Sequence, residues 1–542
     1  MSKFPRRACL HLNSVNSFRA LVLLLVLPMF AGRAAAGELT VSPTTIAFGT
    51  VNVGTSQSKS VTVTNTGDST IKVSNVAVYG TGFSLKGITI PLILSAHQSS
   101  SFNAVFDPQS AITTDGGLVV ISDASDSPQR VRLSGTGWVA VNSVVPPQYL
   151  GLILHPEVLT DKVPWPAIPF GSIRLWATET QWAVLNPSEG TYDWSELDSW
   201  LNMAAQNGKT DLIYTFGVVP QWASSKPNDQ TCVSPSSTPG SCDPPYDLNA
   251  DGTGPDQIWQ NFVAALVSHA AGRIQYWELW NEPDCPYEWN GTNAQLVRMA
   301  KDAYAIIKAA DPAAMVTTPS SVNAGSGRSI DIWLPAYLAA GGGAYADIVA
   351  FHGYVNPALG QAPEAITSTV DQVTSSLAGT PLTSKPIWNT EGGWTQNSNL
   401  PNAELQAAFV ARVYLLQWFK GVSRFYWFQY GNTVTGTLWT SAGPNAAEIA
   451  YGQVYDWLVG ATLAGPCSAT GSVWTCSFTK PGGIHEQAVW DASQTCRNQT
   501  CTTSSYTPSS VYTKYTDLAG NITSFAPGAT IQIGAEPVLL EN

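Results

Sequence analysis

Residues 276–283, Tyr276-Trp277-Glu278-Leu279-Trp280-Asn281-Glu282-Pro283, read as a hydrophobic strand that stops abruptly in Asn-Glu-Pro. Pro283 ends it, because proline has no N–H to donate to a ladder. A second carboxylate stands in the same kind of place: Lys385-Pro386-Ile387-Trp388-Asn389-Thr390-Glu391-Gly392-Gly393 is a short apolar strand whose last polar residue is Glu391. Strand alternation puts Ile387, Asn389 and Glu391 on one face, and the two glycines keep the following loop clear of a ligand. Taken singly, Asn-Glu-Pro is an ordinary strand-ending turn and Glu391 a surface residue. Together they predict two acidic groups presented at one end of a sheet.

The surrounding rhythm names the sheet. Strand candidates lie at 149–154, 172–176, 211–216, 274–280, 315–318, 348–351, 386–390 and 423–428, with helical runs such as 197–207, 258–271, 294–309 and 403–418 between them. Eight alternating β and α segments predict a parallel sheet closed into a (β/α)8 barrel over 149–461, in which Glu282 ends the fourth strand and Glu391 the seventh. In such a barrel reactive groups sit at the C-terminal strand ends. The long insertion at 224–255 follows the third strand, on that same face.

Before the barrel, 37–138 alternates apolar and polar residues between short turns, as in Ser60-Val61-Thr62-Val63-Thr64-Asn65-Thr66-Gly67, which predicts a sandwich of antiparallel strands of immunoglobulin type. A linker with Pro146-Pro147 spans 139–148. After the barrel, 462–542 returns to strand pattern in Val473-Trp474, 487–490 and 531–533, with a turn at 517–521, and predicts a small β-sandwich. The first 36 residues read as a signal peptide: Lys3, Arg6, Arg7 and Arg19 precede an apolar run from Ala20 to Phe30, and Ala34-Ala35-Ala36 supplies a cleavage site. That run is too short to span a bilayer and Cys9 is not at the cleavage point, so a soluble exported protein without a lipid anchor is expected.

Composition narrows the partners. Charged residues make up only 12% of the 542, against 20 Trp and 19 Tyr, a surface suited to neutral, ring-shaped ligands. The formal charge of −12 and the lack of a basic run beyond the leader argue against nucleic acid. Of eight cysteines, seven follow the leader. Short separations pair Cys232 with Cys242, Cys467 with Cys476 and Cys496 with Cys501 as disulfides of an oxidising compartment, extracellular or periplasmic, leaving Cys285 unpaired. No CxxC spacing points to zinc. Sequons at Asn290, Asn498 and Asn521 matter only in a eukaryotic host.

Two carboxylates on one rim can divide the cleavage of a glycosidic bond, one donating a proton to the leaving oxygen and the other attacking the anomeric carbon. Here the residues resemble the large clan of (β/α)8 glycosidases with an acid/base Glu after strand four and a nucleophile Glu after strand seven. That resemblance implies a retaining, double-displacement mechanism with Glu282 as acid/base, Glu391 as nucleophile and Asn281 holding the sugar 2-hydroxyl. Arg174, in Ile173-Arg174-Leu175-Trp176, resembles the clan's arginine beside the nucleophile; its other reading is an internal ion pair with Glu278. His352 and Tyr354, in Phe351-His352-Gly353-Tyr354, are candidates to hydrogen-bond substrate or nucleophile, or to be packing residues. Trp427 and Trp222 are candidates for sugar stacking, or for core.

Within the clan, 172–182, Pro187-Ser188-Glu189-Gly190-Thr191-Tyr192-Asp193-Trp194, the Asn-Glu-Pro strand and the tail at 533–538 are similar to glycoside hydrolase family 39, which includes β-xylosidases, α-L-iduronidases and bacterial exopolysaccharide-cleaving enzymes. Residues 46–49, 61–67 and 133–137 resemble Ig-like modules of the spindle-protein and hydin type. The expected function is a secreted β-glycosidase acting on an extracellular poly- or oligosaccharide, with no metal or organic cofactor. Its rivals are a catalytically silent carbohydrate-binding barrel and a surface adhesion protein.

Overall fold

The structure, a computed structural model, describes residues 38–53, 55–108, 113–138, 144–232, 238–322, 329–497 and 500–542. The expected signal peptide, residues 139–143 of the expected linker and the Asn498 sequon lie outside them. The chain divides at residues 140 and 141 into two compact units.

In the N-terminal unit two sheets enclose a core that includes Val61, Val63, Phe102, Leu118 and Val131. One sheet orders Leu39–Ser42, Gln57–Asn65, Ser99–Phe106 and Phe83–Lys86; the other orders Thr45–Asn52, Gln129–Trp138, Thr113–Ser122, Ile71–Tyr79 and Leu92–Leu94. The alternation of Gln57–Asn65 is used as expected, with Val61, Val63 and Asn65 buried. Asn65 ends the strand by donating to Ser69 O, Leu94 O and Ser95 O while accepting from Gly67 N, so its amide organises the Asn-Thr-Gly turn. One expectation is corrected: Thr45–Asn52 pairs in parallel with Gln129–Trp138. Local alternation carries no strand direction.

The second unit is built on parallel strands at Leu150–Leu154, Ser172–Leu175, Leu212–Thr215, Tyr276–Glu278, Met315–Thr317, Ser321–Val322, Val349–Val355, Ile387–Trp394 and Val422–Tyr430. Its ladder runs from Met315–Thr317 back through the fourth, third, second and first strands to the eighth, seventh and sixth, and ends at Ser321–Val322. The expected closed eight-stranded barrel is therefore corrected. The two end strands are halves of one broken fifth strand, interrupted at Pro319, which has no N–H for a ladder. Among the described residues, single bridges of Thr317 with Ile348 and Asn281 with Ser320 cross the break.

Helices cover the sheet: Ser195–Gln206, Gln257–Ala270, Asn293–Ala310, Ile330–Ala339, Ala365–Leu377, Ala403–Phe419 and Ala446–Leu458. Behind the third and fourth strands their aromatic side chains form one cluster. Trp259 lies 5.1 Å from Trp182 and 5.0 Å from Phe216 between ring centroids, and its Nε1 donates to Met299 O. Among the described residues no helix is long and apolar enough to cross a membrane.

The C-terminal residues add a seven-stranded sheet in which Val473–Lys480 pairs antiparallel with Ile484–Asp491, and this with Val538–Glu541. The antiparallel ribbon of Ser504–Tyr506 and Ile531–Ile533 packs on it through Ile531, Ile533, Val489 and Leu540. Asp517 and Asn521 close the expected turn. Disulfides join Cys232 to Cys242, Cys467 to Cys476 and Cys496 to Cys501.

Trp259 is fully buried and tied to two helices, so Trp259→Ala is expected to remove about 3–5 kcal/mol of stability. The readout is the thermal transition of the second unit, and an unchanged Tm contradicts a stabilising role for this cluster.

Candidate active site

Arg174 projects from the second strand into the sheet's interior with no exposed surface. Its Nε donates to Glu278 Oε2 at 2.7 Å, its Nη1 to Glu391 Oε2 at 2.8 Å and its Nη2 to Asn281 Oδ1 at 2.8 Å. The two sequence readings of Arg174, an ion pair with Glu278 and a cation beside Glu391, thus both hold in one side chain. Burial works against its charge, but Glu278 and Glu391 outweigh burial and raise its pKa.

Glu278 is equally buried and is saturated by donors: Thr215 Oγ1 reaches Oε2 at 2.6 Å and Thr390 Oγ1 reaches Oε1 at 2.5 Å. Neither threonine was a sequence candidate. The only signal for Thr390 was a hydroxyl inside an apolar strand.

Glu391 has 5% of its surface exposed and Glu282 8%, enough for a ligand to touch either while bulk water is largely kept away. Tyr354 donates its hydroxyl to Glu391 Oε1 at 2.8 Å. His352 Nδ1 lies 2.8 Å from Glu282 Oε1, so this histidine is placed on the other carboxylate and not on Glu391. Glu282, His352 and Glu391 each bring one polar atom within 4.8 Å of the others. Cys285 Sγ packs 3.8 Å from Glu282 Oε2.

The backbone at both carboxylates is irregular. Glu282 takes φ 42°, the left-handed region that costs a non-glycine residue roughly 1–2 kcal/mol. It is held there by Glu282 N donating to Ser320 O and Cys285 N donating to Glu282 O, at 2.9 and 2.8 Å. At Glu391 the expected alternation fails. The register to the eighth strand shifts between Asn389 and Gly392. Asn389 turns toward the helix Ala403–Phe419, donating to Gln417 Oε1, whereas consecutive Thr390 and Glu391 both reach interior partners. A bulge re-aims a side chain in this way. The glycine reading changes too: Gly392 lies within the strand, and a Cβ there would meet Gly353 O at 2.5 Å, so neighbouring backbone demands the glycine.

The two tryptophans stand apart from this group. Trp427 is fully buried among Trp394, Phe409 and Tyr414, with Nε1 donating to Gly436 O, so its expectation as a sugar platform is corrected. Alternation along the eighth strand sends Trp427 to the helices and Phe428 inward, where its ring lies 6.4 Å from that of Tyr354. Trp222 donates to Asn186 O and lines a cavity of about 360 Å³ with Tyr192, Ile258 and Asn261, and neither carboxylate borders that cavity.

Residues 253–455 match the family described as glycosyl hydrolase catalytic core, and residues 37–129 match the family of ASPM-SPD-2-Hydin domains. A family 39 glycoside hydrolase from Bacteroides cellulosilyticus WH2 superposes with a TM-score of 0.52 at 16% identity, covering 93% of this chain and all of that one. A glucosidase from Croceicoccus marinus gives 0.51 at 13% identity, covering 74% of this chain and 96% of the other. No curated protein matches the sequence. Residues 37–129 are thus similar to an ASPM-SPD-2-Hydin module and residues 253–455 to a glycosyl hydrolase catalytic core, on a fold shared with a family 39 glycoside hydrolase.

Proposed function

We propose that the chain is a secreted, retaining β-glycosidase that hydrolyses an extracellular poly- or oligosaccharide through Glu391 as nucleophile and Glu282 as acid/base. The observation that carries this reading is the approach of the two carboxylates, whose nearest oxygens lie within 4.8 Å. Oxygens this near one another favour direct attack, with carboxyl groups about 5–5.5 Å apart, over an inverting arrangement that leaves roughly 6.5–9.5 Å for a water.

The surroundings divide the roles. A guanidinium and a phenol converge on Glu391, and donors of that kind favour an ionised carboxylate, the form that attacks. Glu282 faces an imidazole, a group able to stand as donor or acceptor as the carboxyl gains or loses its proton. In the first step Glu391 bonds to the anomeric carbon while Glu282 passes its proton to the departing oxygen. In the second, Glu282 takes a proton from water, the water oxygen attacks the same carbon, and Glu391 leaves. Export is supported by the leader pattern and the disulfides. Xylosidase-, glucanase- and exopolysaccharide-hydrolase-like specificities all fit this chemistry, and a screen of nitrophenyl glycosides and polysaccharides decides among them.

Glu282→Gln is expected to lower kcat/KM about 10²–10⁴-fold, the usual contribution of a general acid, and Glu391→Gln to abolish turnover. A 2-deoxy-2-fluoro glycoside should label Glu391; an unlabelled Glu391 together with product of inverted configuration by NMR refutes the double displacement. Arg174→Met strands Glu278 and is expected to lower stability by about 3–5 kcal/mol, with part regained in the Arg174→Met/Glu278→Gln double variant. Equal stability of the single and double variants contradicts the ion-pair account.

A further inference from the structure

The hydrogen bonds between the fourth strand and the second half of the broken fifth strand stop one rung short of a regular ladder. In parallel pairing a residue sends both its N–H and its C=O to one neighbour, and the next residue to do so lies two positions on. Ser320 follows this rule: its N donates to Trp280 O and its O accepts from Glu282 N, both at 2.9 Å. The next rung would run from Val322 N to Glu282 O. It is not made, because Glu282 turns away at φ 42° and its carbonyl accepts from Cys285 N at 2.8 Å instead.

A buried N–H requires an acceptor. Val322 is buried, and its N donates to the carboxylate of Asp284, at 3.1 Å from Oδ1 and 3.0 Å from Oδ2. Asp284 is itself buried, with 1% of its surface exposed. Two residues beyond Glu282, its side chain stands in for the carbonyl that the left-handed turn withdraws. A hydrogen bond to an ionised acceptor is roughly twice as strong as one between neutral groups, so the replacement holds the two segments together.

Val322 bears on the chemistry through its neighbours. It lies opposite His352 in the parallel register with the sixth strand, and His352 Nδ1 faces Glu282 Oε1 at 2.8 Å. Its side chain clusters with Cys285, and Tyr287 and Tyr354 pack against that cluster. A closed circuit results: Glu282 leads along the chain to Asp284, Asp284 holds Val322, Val322 pairs beside His352, and His352 returns to the Glu282 carboxyl.

We propose that Asp284 is a positioning residue for the acid/base. By accepting from Val322 N it lets Glu282 keep its left-handed turn while the strand that carries Ser320 and borders His352 stays in register. This rests on the reading of Glu282 as the proton donor. Asp284 touches no reacting atom, so its loss leaves the Glu282 carboxyl present but misaimed. Proton delivery to the departing oxygen then suffers, whereas Glu391, held by Arg174 from the second strand, keeps its place.

The test compares 2,4-dinitrophenyl, 4-nitrophenyl and phenyl glycosides of the sugar that the wild type cleaves. Dinitrophenolate departs without a proton, and phenolate needs one. Asp284→Ala is expected to lower kcat/KM about 10–100-fold on the phenyl glycoside, the scale of a displacement of about 1 Å. On the dinitrophenyl glycoside the expected fall is less than about threefold, because acid catalysis contributes little there. Asp284→Asn keeps an oxygen for Val322 N without the charge and is expected to lose about two- to tenfold on the phenyl glycoside, in the same leaving-group order. Equal falls on all three glycosides overturn the positioning role, since a merely structural carboxylate would act on every substrate alike; an unchanged phenyl rate overturns it as well. If Asp284→Ala fails to fold, Asp284→Asn decides by the same ratio of phenyl to dinitrophenyl rates. Glu282→Gln is the control. When it shows the steep leaving-group dependence and the Asp284 variants do not, the positioning role alone is overturned. When Glu282→Gln lacks that dependence, or the wild type cleaves no glycoside, the assignment of Glu282 falls and the role of Asp284 falls with it.

Discussion

The guanidinium of Arg174 has no contact with water, and its three arms are shared among Glu278, Asn281 and Glu391. A buried cation is tolerable only when its donors are used, and a buried carboxylate only when it is paired. Glu278 supplies the standing counter-charge, held by Thr215 and Thr390, and this leaves the arginine's outer face for Glu391 and Asn281. One ion pair therefore locks the second, fourth and seventh strands to one another and aims the group proposed to attack the sugar. An arrangement of this kind is preorganised: its dipoles and charges are in position before substrate arrives.

Around that centre the fold spends irregular backbone where it needs side chains aimed. The bulge between Asn389 and Gly392 brings two consecutive residues inward, one to brace Glu278 and one to face the ligand. Glu282 stands in a left-handed conformation directly after Asn281, so neighbours in sequence point to different partners, Asn281 to Arg174 and Glu282 to His352. The broken fifth strand lends Ser320 to hold the Glu282 backbone. Such departures from regular geometry concentrate at functional sites because the surrounding packing over-determines them.

How much of this was legible depended on the range of the interaction. Glu282 beyond its strand and the pairing of Arg174 with Glu278 came from strand-ending residues and period-two alternation, which act over a few positions, whereas Arg174 beside Glu391 came from the clan resemblance, and Tyr354 was a candidate for substrate or nucleophile alike. His352 was placed at the rim without its partner being known, since nothing local distinguishes Glu282 from Glu391 as its neighbour. Trp427 was open between sugar platform and core, because in a run of four aromatics alternation gives two faces but not which of them meets the helices.

The sequence by itself determined the alternation of strands and helices, the place of Glu282 just beyond the fourth strand, the three short-range disulfides and the Asx-type turns, because each is written in residues close along the chain. Only the tertiary structure decided the rest. It set the convergence of residues 174, 278 and 391, the bulge that turns Glu391 inward and the parallel pairing in the N-terminal unit. Each of these joins segments tens to hundreds of residues apart, where local propensity is silent and the outcome is fixed by which charges and surfaces burial brings face to face.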